Sequence, residues 1–398
     1  MLEIRGKGRI RTVAEPAGAA AWRGDNARTK HSAFALSRLP AVVFAAGLVQ
    51  IALAAAEVER EALRPERLRE ALVAASGAAP YPASEVMGRV EWAPKATIVR
   101  RALGCDNWPL TWADDDCLYG AYGDGSGFEP QLAEKLSLGL ARIEGGPANF
   151  RGMNLRSATL EQRGDGARGK KASGLLMVDG VLYLWARNAA NSQLAWSRDH
   201  GATWTWSGWK FTTSFGCPTF LNFGRNYEGA RDEYVYVYSP DSDTAYTPAD
   251  RMVLARVPKD AMADRGRYEF FQRLDADQRP VWTPAIDRRG AVFTHPGRCY
   301  RSGVSYHRGW KRYLWCQVHP ESTDPRGPRF QGGFGIYDAP EPWGPWTTVF
   351  FAHPWDVGPG ETSSLPPKWM SDDGRTLHLV FSGDDCFSVR RLTLGVRR

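Results

Sequence analysis

The sequence predicts an all-β fold, and three observations carry that expectation. Helix-like periodicity fades after Pro80, short strand patterns bounded by Gly and Asp take over, and an aromatic-rich strand recurs five times. These strands read CLYGAY, VLYLWA, EYVYVY, RYLWCQ and LHLVFS, each just after a tight turn such as Asp179-Gly180 or Asp373-Gly374. Their centres, near Tyr119, Tyr183, Tyr236, Leu314 and Leu379, lie 53 to 78 residues apart. That spacing suits a four-stranded antiparallel blade with variable loops, so the expected architecture is a five-bladed β-propeller with an N-terminal signal and helical extension.

The N-terminal extension falls into two parts. Arg28, Lys30 and Arg38 precede an apolar run from Leu39 to Leu53 that closes on Ala54-Ala55-Ala56. A basic flank, a short apolar core and small residues at the exit describe a secretory signal peptide, so residues 1–56 are assigned to it and to what precedes it. The expected location is periplasmic or extracellular after cleavage near Ala56, with no stable membrane insertion; an uncleaved N-terminal anchor is the alternative. Residues 57–85 open on EVEREALRPERLREALVAAS, an amphipathic Arg/Glu-laced lead-in helix with Pro65 inside it. Residues 86–398 are the propeller.

Each aromatic strand is followed by a polar loop and another strand: LGLARI, QLAWSR, MVLARV, FGIYDA and FSVRRL. Outer-strand candidates follow in TWTWSG, YEFFQR and PWTTVF, while the last unit runs out of chain after its third strand. Closure then calls for an outer strand from the other end, VMGRVEW or ATIVRRA. Ser197-Arg198-Asp199-His200-Gly201-Ala202-Thr203-Trp204 matches the Asp-box S-x-D-x-G-x-T-W of sialidase-like propellers, where Ser and Asp bond the turn backbone and Gly takes a conformation other residues resist. Asp199 is therefore read as structural.

Composition narrows the partners. The chain of 398 residues carries a net charge of +7, but much of the excess lies in the N-terminal region and the Arg-rich tail. No helix-turn-helix or zinc-finger pattern accompanies it, so nucleic acid is excluded as a partner. The 16 Trp, 14 Tyr and 17 Phe suit strands, and they also offer flat faces to sugar rings. Six cysteines, Cys105, Cys117, Cys217, Cys299, Cys316 and Cys386, show no CxxC or His-rich spacing, so no metal site is expected. They are compatible with disulfides in an exported chain or with buried thiols. A monomer is expected.

Propeller topology sorts the loops. The tight turns at Asp114–Asp116, Asp179, Asp232 and Asp373 fall on one face. The opposite mouth collects the starts of the inner strands: Cys105-Asp106-Asn107-Trp108, Lys170-Lys171-Ala172-Ser173, Ser214 to Cys217, Arg298-Cys299-Tyr300-Arg301 and Gly360-Glu361-Thr362-Ser363. Joining loops add Asp124, Asn188, Asp241, Asp243, Asp250 and Asp384-Asp385. Carboxylates, Arg and Lys around one mouth suit acid/base work on a polar substrate.

One pair stands out. Asp106 and Asp124 are equally distant in sequence from Asp115, so a symmetric hairpin would set them opposite each other, with Cβ atoms about 4.5–5.5 Å apart. Two carboxylates at that range suit a glycosidase, with one protonated and one charged. The candidate catalytic residues are Asp106, Asp124 and Glu361, the last as an acid, a hydroxyl-binding group or a modulator of the pair. Asn107, Trp108, Lys171, Asp243, Arg298, Arg301 and Lys368 are candidate substrate-binding residues. No cofactor is required, and a structural ion could occupy the axial channel, although no loop spells a calcium motif.

The stretches CDNWPLTWADDDCLYGAYGDG, SPDSDTAYTPADRMVLARVPKD, GRCYRSGVSYHRGWKRYLW, GFGIYDAPEPWGPWTTVF and GETSSLPPKWMSDDGRTLHLVFSGDD resemble a bacterial five-bladed propeller family, catalogued as a domain of unknown function, that includes endo-D-arabinanases. The resemblance implies a glycoside hydrolase acting on D-arabinan or a related furanoside, with Asp106 and Asp124 at the family's catalytic aspartates. Cys105 and Cys217 stand where small residues are expected. Two other functions fit the residues: a lyase on a uronate polymer, using Arg301 or Lys171 against the uronate and Tyr300, Tyr306 or His295 for the proton, and a non-catalytic glycan-binding propeller.

Overall fold

The computed structural model describes residues 78–320 and 330–396, so the expected signal peptide and the expected lead-in helix, residues 57–76, lie outside the described residues. Among the described residues there is no α-helix, only strands and three-residue 3-10 turns, and no helix is long and apolar enough to cross a membrane.

The strands form consecutive antiparallel groups. The first comprises Leu110–Trp112, Leu118–Tyr122, Gly139–Glu144 and Arg151–Leu155 in that order across the sheet, and the second Lys171–Val178, Val181–Arg187, Ser192–Ser197 and Thr205–Phe211. A third set begins at Thr219–Asn222 and runs through Tyr234–Pro240, Ala249–Pro258 and Glu269–Leu274, with Pro280–Thr283 and Ala291–Cys299 added at its outside. It joins a fourth set, Ser302–His307, Arg312–Pro320, Gly332–Ala339 and Thr347–Ala352, through a short parallel pairing of inner strands, Leu221 with Val304. The last set is Ser363–Ser364, Thr376–Phe381 and Phe387–Val396. Met87–Trp92 and Val99–Arg101 both pair with its third strand, so both N-terminal candidates supply the outer edge.

Burial explains why these runs are apolar without clean alternation. LYGAY and VLYLWAR are buried along their whole length, because both faces of each sheet are covered. Tyr119, Leu140, Leu175 and Leu184 pack the first group on the second, while Trp185, Phe220, Tyr238 and Trp315 belong to a cluster running through the second, third and fourth. Leu314, Phe334 and Leu379 continue it to the fifth, and Trp108, Tyr122, Val380 and Phe387 bring the fifth back to the first. Losing one such aromatic ring would cost about 3–5 kcal/mol. Polar contacts close the same circle: Trp108 N–H donates to Thr362 Oγ1 at 2.7 Å, and Met177 N–H to Thr111 Oγ1 at 2.8 Å.

The turn at Asp199 behaves as its motif implies. Asp199 accepts from Thr203 N–H at 2.9 Å and Thr203 Oγ1 at 2.6 Å, and these contacts, with Ser197, pull its carboxyl down to about 2. Gly201 has φ 91°, and a Cβ there would meet Leu140 Cδ2 at 2.3 Å, so both backbone and packing require glycine. All six cysteines are buried thiols.

Candidate functional site

The first hairpin is symmetric about Asp115 as far as Leu110 opposite Gly120. It then slips by one residue, and Asp106 exchanges backbone hydrogen bonds with Gly123 at 2.8 and 2.9 Å rather than facing Asp124. The expected direct opposition of Asp106 and Asp124 is therefore corrected: Asp124 lies one position on, with φ 46°, a left-handed backbone that Asp tolerates better than most residues. Gly123 leaves room for the acid; a Cβ there would sit 2.9 Å from Asp106 Oδ1.

What brings the two acids into one electrostatic neighbourhood is the next inner strand. Lys171, only 1% exposed, forms an ion pair with Asp124, whose other oxygen accepts Gly166 N–H at 3.1 Å. Lys171 stands directly opposite Arg187 across the second hairpin. Arg187, fully buried, donates to Glu361 Oε2 at 3.0 Å, and Arg301, just before the fourth inner strand, pairs with the same oxygen. Glu361 is held from behind, its N–H donating to Ser382 Oγ at 2.6 Å. The third inner strand begins beside Cys217, a buried thiol pushed up by burial and lying within the field of Arg187, Arg301 and Glu361. All five inner-strand starts thus converge, with three carboxylates facing three cations.

Asp106 is the perturbed member. It is 3% exposed, and its carboxyl is pushed up to about 6, first by burial and then by the charge of Glu361; Lys171 and Arg187 oppose the shift, and Asp124 adds to it. A carboxyl that still holds its proton in mildly acidic solution, close to a second carboxylate countered by a buried ammonium, has the makings of an acid and a base. Arg301 lies over the ring of Tyr300 at 4.9 Å, and Tyr246, on the loop after the second strand of the third set, touches both arginines.

Several expected binding residues are placed elsewhere. Trp108 is 1% exposed, packed against Tyr122, Phe128 and Phe387, and offers no face to a ligand. Asn107 is fully buried, and its amide donates to the Ala172 carbonyl, joining the first and second groups. Lys368 pairs with Asp116 at 2.7 Å at the tight-turn end of the first hairpin, away from Asp106. The charge of Arg298 bears on His295 and His319, and its carbonyl accepts from His319 Nδ1 at 3.5 Å. Trp108, Asn107 and Lys368 are corrections. Asp243 is exposed and accepts the Ser214 N–H, anchoring the loop that carries Tyr246.

Arg187 and Tyr246 were not anticipated. Arg187 was within reach, because Lys171 and Arg187 are as symmetric about Asp179 as the two aspartates are about Asp115. No sequence signal points to Tyr246.

Below the charged cluster, a small cavity of about 20 Å³ lies among the five inner strands, with Ser173, Thr219, Ser302, Thr362 and Ser363 in its wall. Among the described residues no group of three or more His, Cys, Asp or Glu is arranged to hold a metal ion.

Comparison with known proteins finds no matching family and no curated relative. Among solved structures the chain is similar to the GH43_1 enzyme from Xanthomonas citri (13% identity, 75% of this chain and 91% of that one, TM-score 0.42). It is also similar to an α-L-arabinofuranosidase from Podospora anserina in complex with cellotriose (9%, 80% and 99%, TM-score 0.42). An aldose sugar dehydrogenase from Streptomyces coelicolor in its PQQ-bound form stands at the same level (11%, 79% and 100%, TM-score 0.43). Function therefore has to be read from the site.

Proposed function

We propose that the five strand groups are the blades of a closed five-bladed propeller and that the chain is an exported glycoside hydrolase acting on a neutral polysaccharide, a D-arabinan or related furanoside. Asp106 is the general acid and Asp124 the base or nucleophile. Glu361 acts through its charge, raising Asp106, rather than as a third proton carrier. The observation that supports this most is the raised carboxyl of Asp106 beside a carboxylate already countered by Lys171.

The pairing of the cations speaks against the uronate lyase. A lyase needs a positive group to neutralise the substrate's carboxylate, yet Lys171 is engaged by Asp124 and both arginines by Glu361. A neutral sugar makes no such demand. The reaction needs no cofactor. The axial cavity, hydroxyl-lined and without a carboxylate in its wall, suits a single water better than a divalent ion.

The test is digestion of D-arabinan, L-arabinan, xylan and a polyuronate, with mass analysis of the products. Hydrolysis gives saturated oligosaccharides with new reducing ends from a neutral polymer. An unsaturated product absorbing in the ultraviolet would establish the lyase, and binding without cleavage across the panel would establish the non-catalytic reading.

A further inference from the structure

Among the described residues Tyr246 is the one large aromatic side chain left more than a third exposed, at 38%. Every other described Phe, Tyr and Trp is more deeply packed, so its placement calls for a reason. Its hydroxyl accepts from Arg187 Nη1 at 3.1 Å and from Asn188 Nδ2 at 3.0 Å. The guanidinium carbons of Arg187 and Arg301 stand 5.4 and 5.1 Å from its ring centre, close enough for cation–π attraction. Both arginines hold Glu361, so the ring borders the carboxylate cluster.

The loop that carries it is fixed at several points. Asp241 accepts from Arg251, Arg289 and Ser214, each at 2.7 Å; Gly216 N–H donates to Ser242 O at 2.8 Å; and Arg301 Nε donates to Ala245 O at 3.1 Å. A ring held in place before any ligand arrives loses little conformational freedom on binding. Among the described residues nothing covers its exposed apolar area.

We propose that Tyr246 is the sugar-stacking platform of the site and a determinant of its specificity. The C–H face of a neutral sugar ring lies on the exposed part of the phenol ring, next to the residue whose glycosidic bond meets Asp106 and Asp124. The hydroxyl's bonds to Arg187 and Asn188 fix the platform's angle. This deepens the reading of the site as one that acts on glycan, and rests on it.

The rival is that Tyr246 only clips Arg187 in place, and kinetics of the full chain on D-arabinan separate the two. Tyr246→Phe keeps the ring and loses the clip, Tyr246→Trp enlarges the ring, and Tyr246→Ala removes everything. A platform predicts KM within about threefold of the parent for the Phe and Trp variants, and a KM raised about tenfold for the Ala variant with a much smaller change in kcat. A Phe variant that matches the Ala variant, with kcat lost and KM unchanged, overturns the platform while leaving the hydrolase standing. Should the parent bind D-arabinan oligosaccharides without cleaving them, calorimetry on the same variants replaces KM. Ring-dependent affinity then upholds the platform although the hydrolase reading falls. Neither turnover nor binding of any polymer in the panel overturns both.

Discussion

The two ends of the first hairpin carry the same residue type in opposite states. At the turn, burial alone would raise Asp115, but Cys117 N–H, Arg142 and Tyr119 outweigh it and leave the carboxyl lowered. At the open end Asp106 is more deeply buried, has Glu361 as a neighbouring negative charge, and is raised. Other turn acids follow Asp115: Asp199 is lowered by Thr203 and Ser197, and Asp373 by Ser371 Oγ and Arg375 N–H. Acids at the turns are acceptors for local donors, whereas the acid at the mouth is surrounded by groups drawn from other strand groups. Local satisfaction makes a structural acid; distant, competing charges make a reactive one.

Replacing one acid from each end is the sharpest way to break this contrast. Asp106→Asn is expected to lower kcat/KM on the responsive polymer by about a thousandfold, in the range for loss of a general acid. Asp115→Asn should leave it within about twofold, measured on the same substrate. Equal losses would dissolve the distinction.

A subtler variant acts on position alone. The methyl group of Gly123→Ala would meet Asp106 Oδ1 at 2.9 Å and the Ser137 carbonyl oxygen at 3.2 Å, and the carboxylate end of a side chain gives way more readily than the backbone. Catalysis should fall by about 10- to 100-fold with the melting temperature nearly unchanged, because small misplacements of a reacting group are costly to rate and not to folding. A drop in stability with intact activity would locate the strain elsewhere.

Much of this mouth was legible in the sequence. The rule that inner strands begin at one face singled out Asp106, Lys171, Cys217, Arg301 and Glu361, because strand order depends on patterns the chain displays directly. The one-residue slip that turns Asp106 toward Gly123 was not visible, since the extra residue lies between Asp106 and Leu110, where Asn107 takes a φ of 66° that no local pattern announces. Trp108 and Lys368 were misplaced for a related reason. Residue type does not reveal whether a tryptophan beside the mouth points into the core, and the 3-10 turn at Pro367–Trp369 places Lys368 beside the far hairpin's Asp116. Tyr246 depends on a loop position set by Asp241 and Ala245, contacts that no local pattern announces.

The pH profile refines the comparison. As general acid Asp106 works while protonated, so kcat/KM should fall as pH rises through about 6. Glu361→Gln removes a negative charge that opposes ionisation and relieves Arg187 and Arg301 of their counter-charge. Both effects favour the Asp106 carboxylate, so the falling limb should move to lower pH by about one unit. An unmoved limb would mean that burial alone sets this group. The smallest effect belongs to the far turns: Asp199→Ala should lower the melting temperature by a few degrees, read by calorimetry, and leave the pH profile where it was.

Titration of aspartate side-chain carbons by 13C NMR, with Asp106→Asn supplying the assignment, tests the account most directly. One carboxyl should change protonation near pH 6 in the parent and be missing from the variant. If every aspartate of the parent has already ionised at pH 5, the mouth holds no acid poised to protonate a leaving group, and the assignment of Asp106 fails.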